Sequence, residues 1–185
     1  MNKVVTSQEA ILNTCCRLVM TEGLAAINMR TVAQACGVAV GSLYNYFPSK
    51  GALMQATIRS VWMDIFAVSG KSVSHTGFLE YLEWMFTRMQ WGHTKYPGFL
   101  ALHAMSFTES GRAEGRREME EYFAHLKGSL LYVLERDQKV RTDAFDETLS
   151  KEGLVDFAFS TMIWMFLQEK VSCEPFFEMV RRAIY

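Results

Sequence analysis

Val32-Ala33-Gln34-Ala35-Cys36-Gly37-Val38-Ala39-Val40-Gly41-Ser42-Leu43-Tyr44-Asn45-Tyr46-Phe47-Pro48-Ser49-Lys50 decides how this chain reads. Gly37 interrupts the run once, and Pro48-Ser49 closes it. Before the glycine, Val32 and Ala33 point one way on a short helix covering Met29 to Cys36, which Asn28 caps. After it, Leu43 and Phe47 lie four apart and pack inward, which leaves Ser42, Asn45 and Tyr46 outward on a third helix from about Val40 to Phe47. Two short helices about a tight glycine turn, braced by a longer helix, have the layout of a helix-turn-helix. The bracing helix opens with a capping box, Thr6 with Glu9, and ends at Gly23. Its apolar face is Ile11, Cys15, Leu18 and Val19. An aromatic trio at Tyr44, Tyr46 and Phe47 filling a plain helical hairpin is the alternative. Groove entry explains the small residues Gly37, Ala39, Gly41 and Ser42 together, which core filling does not.

Outward from this segment the periodicity stays helical, with no sustained alternation and no hairpin turn, so the chain reads as all-α. Pro48-Ser49 caps a long fourth helix with Leu53, Ala56, Val61, Ile65 and Phe66 inward. Gly70 to Thr76 is a polar linker, and further helices are expected at 77–95, 97–108, 113–136, 145–170 and 174–184, about nine in total. The helix-turn-helix is expected to form one domain at 1–50, with its motif at about 29–48, followed by a helical domain at 51–185.

Half of the residues are hydrophobic and 13% aromatic, so a sizeable core can form. A net charge of −1 excludes general attraction to nucleic acid or anionic membrane. Residues 1–50 hold Lys3, Arg17, Arg30 and Lys50 against Glu9 and Glu22, so any DNA binding is expected to be modest in its salt dependence. Cys15, Cys16, Cys36 and Cys173 have neither CxxC spacing nor a visible signal peptide beside them, and read as reduced, mostly buried thiols. Phe157 to Leu167 is too short to span a bilayer. The expectation is a soluble cytoplasmic protein with no membrane partner, no metal and no cofactor.

The quoted run resembles the signature of the tetracycline-repressor (TetR) family, and Leu53 matches the leucine that follows it there. The resemblance covers about residues 5–55, with Ile11-Leu12, Leu18 and Glu22-Gly23 similar to the family's first helix. It implies that Asn28 and Thr31 contact a phosphate and that Gly41 lets the helix approach the DNA backbone. It further implies that Ser42, Tyr44 and Asn45 reach phosphates or base edges with help from Tyr46, and that Lys50 holds another phosphate. The family often has serine where Ala39 stands and a polar or basic residue where Val40 stands, so both hydrogen-bond partners are missing from this recognition helix.

The body resembles the family in helical layout alone. Leu154, Val155, Phe157, Ala158, Met162, Ile163, Trp164, Met165, Phe166 and Leu167 leave hardly any polar face, so this helix must be covered on all sides. The resemblance implies that the last two helices pair with those of a second copy, and Phe159, Ile163, Phe166, Phe177 and Val180 are the expected interface. A homodimer would present two recognition helices roughly 34 Å apart to a palindromic operator in double-stranded DNA. Trp62, Phe66, Phe86, Met89, Phe99, His103, Phe107 and Phe123 are the expected walls of a pocket for an apolar or aromatic effector. The function so read is a homodimeric repressor released from DNA by a small molecule, and not an enzyme. The alternatives are a constitutive helical DNA-binding or interaction protein without an effector, and, less well supported, an all-α enzyme.

Overall fold

The computed structural model describes residues 6–66, 77–99, 113–167 and 173–185, and of residues 113–119 and 167 the backbone only. Among them are eight α-helices, one 3₁₀ turn and no strand. The helices are α1 (Gln8–Glu22), α2 (Met29–Cys36), α3 (Val40–Tyr44), α4 (Lys50–Ile65), α5 (Phe78–Lys95), α6 (Ala113–Arg136), α7 (Lys151–Leu167) and α8 (Glu174–Ile184). Beyond Phe99, the helix expected over 97–108 lies outside the described residues, as does the linker Gly70 to Thr76.

The chain divides into two compact units, Met1–Ala67 with Trp91–Met105, and Val68–Gln90 with Ser106–Tyr185. In the first, Ser7 caps α1 by accepting from Ala10 N at 3.1 Å, one residue later than the expected box at Thr6. Gly23 ends α1 at φ 81°, a conformation that costs glycine little. Ile11, Thr14, Cys15 and Val19 are buried, while Leu18 sits half-buried at the rim. The Thr14 hydroxyl is satisfied by the Ala10 carbonyl at 3.0 Å, which is why a polar residue can share this face. On α4 the buried set is Leu53, Thr57, Val61, Trp62 and Ile65. Thr57 rather than the expected Ala56 continues the face, because its hydroxyl donates to the Leu53 carbonyl at 2.8 Å. Phe66 is buried just beyond the helix and stacks on Trp62, which meets Phe99 edge-on.

In the second unit α7 begins at Lys151, not at 145. The Asp146 carboxylate accepts from the N–H groups of Thr148 and Leu149 at 2.8 and 2.9 Å, so those donors serve a local turn and not a helical ladder. Ser150 then receives Gly153 N at 2.9 Å, in the manner of an N-cap. Asp137, past the end of α6, caps α5 from a distance. Its Oδ2 accepts from Phe78 N at 2.8 Å and from the Tyr185 hydroxyl, and its Oδ1 accepts from Lys139 N at 3.0 Å. Burial pushes this carboxyl upward, but the bonds from Tyr185, Phe78 and Lys139 outweigh it and hold the carboxyl below its ordinary range. Arg141 closes the other end of the chain, donating to the Ala183 carbonyl at 2.7 Å from its side chain and to the Ile184 carbonyl at 2.8 Å from its backbone.

Candidate nucleic-acid interface

The interface is built on α2 and α3. Asn28 caps α2, accepting from Arg30 N at 3.1 Å and Thr31 N at 3.0 Å. Its amide also donates to the Thr31 hydroxyl at 2.8 Å and to the Ala26 carbonyl at 3.2 Å. Both functional ends of Asn28 are therefore engaged internally, and among the expected contacts it holds the helix start in place. Thr31 is half-buried beside it. Gly37 ends α2 in the left-handed region at φ 67° and returns its N–H to the Ala33 and Gln34 carbonyls. This reversal sets the entry of α3.

In α3, Leu43 is fully buried, and Phe47 just after it is buried too. Gly41, Tyr44 and Asn45 are exposed, Tyr44 to 51%, and Ser42 is half-buried. The inward and outward sides thus fall where the four-residue spacing of Leu43 and Phe47 places them. Tyr46 behaves differently from the rest. Its hydroxyl donates to the Thr6 carbonyl at 2.7 Å and ties the end of the motif to the chain entering α1. Lys50 is exposed as the first residue of α4, behind the Ser49 cap, which accepts from Ala52 N at 3.1 Å. A lysine there can follow a phosphate, a geometry helped by the helix N-terminus.

Gly41 has no conformational reason to be glycine. Its backbone is not left-handed, and a Cβ built on it would meet nothing within 4 Å. Glycine inside a helix costs about 1 kcal/mol relative to alanine.

Further contacts fix the far end of α4. Asp64 accepts from Lys95 Nζ at 2.7 Å and from the Tyr96 hydroxyl at 2.8 Å. A Cβ on Gly92 would stand 2.7 Å from two carbons of Ile65, so α5 crosses α4 with backbone against side chain. Burial raises the Tyr96 hydroxyl and the Cys16 thiol, each pushed further by Asp64. The Cys15 and Cys173 thiols are lifted to about 11, first of all by burial, and stay protonated at neutral pH. Both are buried; Cys16 and Cys36 are half-exposed.

The described residues of the expected pocket are divided between the two units. Trp62, Phe66 and Phe99 belong to the first unit, where they pack on one another. Phe86, Met89 and Phe123 belong to the second, where Phe86 meets Phe166 at 4.9 Å and Phe177 at 5.8 Å, and Phe123 meets Phe159 at 5.2 Å. His103 and Phe107 lie outside the described residues. Of the expected interface residues, Phe159 and Val180 are buried inside the chain itself and offer no surface to a second copy. Ile163, Phe166 and Phe177 are half-buried. Phe157, Trp164 and Met179 are exposed apolar residues of α7 and α8 that lie outside that expected set, although the sequence reading counted Phe157 and Trp164 among the side chains needing cover. The i, i+7 spacing of Phe157 and Trp164, on one helix side, was the signal available.

Residues 11–57 match the family described as bacterial regulatory proteins, tetR family. No curated protein matches the chain. Among solved structures, the multidrug binding protein EbrR complexed with imidazole is similar, with a TM-score of 0.57 and 23% identity over 95% of this chain and 88% of that one. The ketosteroid transcriptional regulator KstR2 of Mycobacterium tuberculosis is similar with a TM-score of 0.52 and 19% identity, over 89% of this chain and 82% of that one. At these identities the likeness is one of fold.

Proposed function

We propose that this chain is a transcriptional regulator of the TetR family, as the match of residues 11–57 supports, and that it is a homodimeric repressor released from a palindromic operator by a small apolar or aromatic molecule. The observation that carries the DNA-binding surface is Gly41, exposed and destabilising on a short helix, with empty space where a side chain would go. That space is open to a body from outside, and a phosphate backbone lying against α3 is such a body. Around it, Ser42, Tyr44 and Asn45 supply polar groups, Lys50 supplies charge, and Thr31 stands at the start of α2. Asn28 acts by holding α2, and Tyr46 by anchoring the motif.

The dimeric part of this reading has its own support. The family typically dimerises, and two recognition helices on a two-fold axis meet successive major grooves. Phe157, Trp164 and Met179, between 52% and 60% exposed, are apolar side chains that a second copy would remove from water. Effector release fits the aromatic content of both units. It also fits the neighbours in fold, one a multidrug binding protein and one a ketosteroid transcriptional regulator. An effector acts only through differential affinity for the DNA-competent and incompetent arrangements, so it must favour the latter by a few kcal/mol. The natural relay is α4, held at one end by Gly92, Lys95 and Tyr96 and beginning at Lys50.

The test is Gly41→Ala, measured by fluorescence polarisation against DNA flanking the chain's own gene. The expected result is a protein that melts at the same temperature or higher yet binds at least about tenfold more weakly, as would a Tyr44→Ala plus Lys50→Ala double variant. Undiminished binding by both would remove this surface from the function.

A further inference from the structure

From Thr31 to Ser49 the chain contains no lysine, arginine, aspartate or glutamate. The segment includes the later part of α2, the turn, and all of α3. The commonest way to specify a guanine is a bidentate contact from arginine or lysine to its O6 and N7, and a carboxylate is the usual acceptor for a cytosine N4. Neither is available on α3. The flanking cations are Arg30 in the first turn of α2 and Lys50 at the start of α4, both outside the recognition helix.

What α3 and its approach do expose is of another kind. Asn45 is exposed and its side chain makes no hydrogen bond among the described residues, in contrast to Asn28, whose amide is fully used as a cap. A free carboxamide matches the paired donor and acceptor of adenine N6 and N7. Ala39 is exposed and caps α3 without any side-chain bond, and Val40 follows it half-exposed. Their methyl groups have nothing to offer a polar base edge, but fit the C5-methyl of thymine. We infer that α3 reads A·T pairs, with Asn45 selecting an adenine and Ala39 and Val40 selecting thymine methyls, so that the part of each half-site under α3 is A·T-rich. This rests on the reading of the head as a DNA-binding surface.

The experiment is selection of duplexes from a random pool by the full-length chain, followed by footprinting of the winners. The expected winners carry A·T pairs at the central positions of each half-site, with no protected guanine N7 there. Replacing those thymines by deoxyuracil, which removes only the methyl, is expected to weaken binding severalfold for the native chain and not for Val40→Ser. Asn45→Ala is expected to lose about tenfold of its discrimination at one A·T pair. Winners centred on protected guanines, or native binding indifferent to the missing methyl, would overturn the inference. Recovery of no preferred sequence at all would instead bring down the reading of the head. The deoxyuracil comparison uses the native protein, so it holds even if a variant fails to fold.

Discussion

Around α3 the bulky side chains Leu43 and Phe47 go inward, and what stays outside is small or polar, with Tyr44 the one large exposed group. Along α7 bulk remains on both sides: Leu154, Val155, Ala158, Phe159 and Met162 are buried, while Phe157 and Trp164 stay in water. A face cleared of bulk suits a partner rich in donors and acceptors that approaches through a narrow groove. A face left bulky suits an apolar partner, since burying such a side chain contributes about 1.5–3 kcal/mol. On the proposed reading the same chain divides its surface between two kinds of neighbour, and each half of that division can be challenged separately.

The largest effect is expected from emptying the inward side of α3. Leu43→Ala removes a fully buried side chain and is expected to cost about 2–5 kcal/mol. Thermal or urea unfolding followed by circular dichroism would measure it, and a loss below 1 kcal/mol would mean that α3 is not anchored as described. A smaller effect is expected at Asp137. Its folded-state carboxyl lies below the ordinary value, so its contribution is complete above the unfolded pKa of about 3.9 and fades as pH falls through the depressed folded value. Native stability should therefore decline on acidification between pH 5 and 2 more steeply than that of Asp137→Asn, whose profile should be flatter. Equal slopes would show that the cap on α5 does not depend on charge. The smallest effect on the fold itself is expected on the outer side of α7. Trp164→Glu should change subunit unfolding by about 0.5 kcal/mol or less. Sedimentation should nevertheless find its mass halved relative to the native chain, and an unchanged mass would take α7 out of the interface.

The sequence was legible where local rules and the tertiary environment agree. Asn28, Gly37 and Ser49 stand at helix ends where cap chemistry alone places them, and the spacing of Leu43 and Phe47 fixed the buried side of α3. It misled where side chains compete for the same backbone donors. Ser7 takes the role expected of Thr6, and Asp146 draws off the N–H groups that would have started α7 earlier. Thr14 and Thr57 were passed over as core because periodicity counts apolar residues and cannot see that a hydroxyl is satisfied by the preceding turn. The candidate interface suffered from a different ambiguity. On a helix apolar all round, the residues buried against the chain's own core and those left outside have the same composition. Phe159 and Phe157 could be told apart only by knowing what packs on α7.

The crossing at Gly92 ties two positions far apart in the sequence into a single unit of inheritance. With Ile65 carbons already 2.7 Å from where a Cβ would stand, residue 92 admits no side chain unless residue 65 surrenders methyl groups in the same step. Homologous chains that keep this crossing should vary at the two sites jointly or not at all, so that a larger residue at one is accompanied by a smaller one at the other.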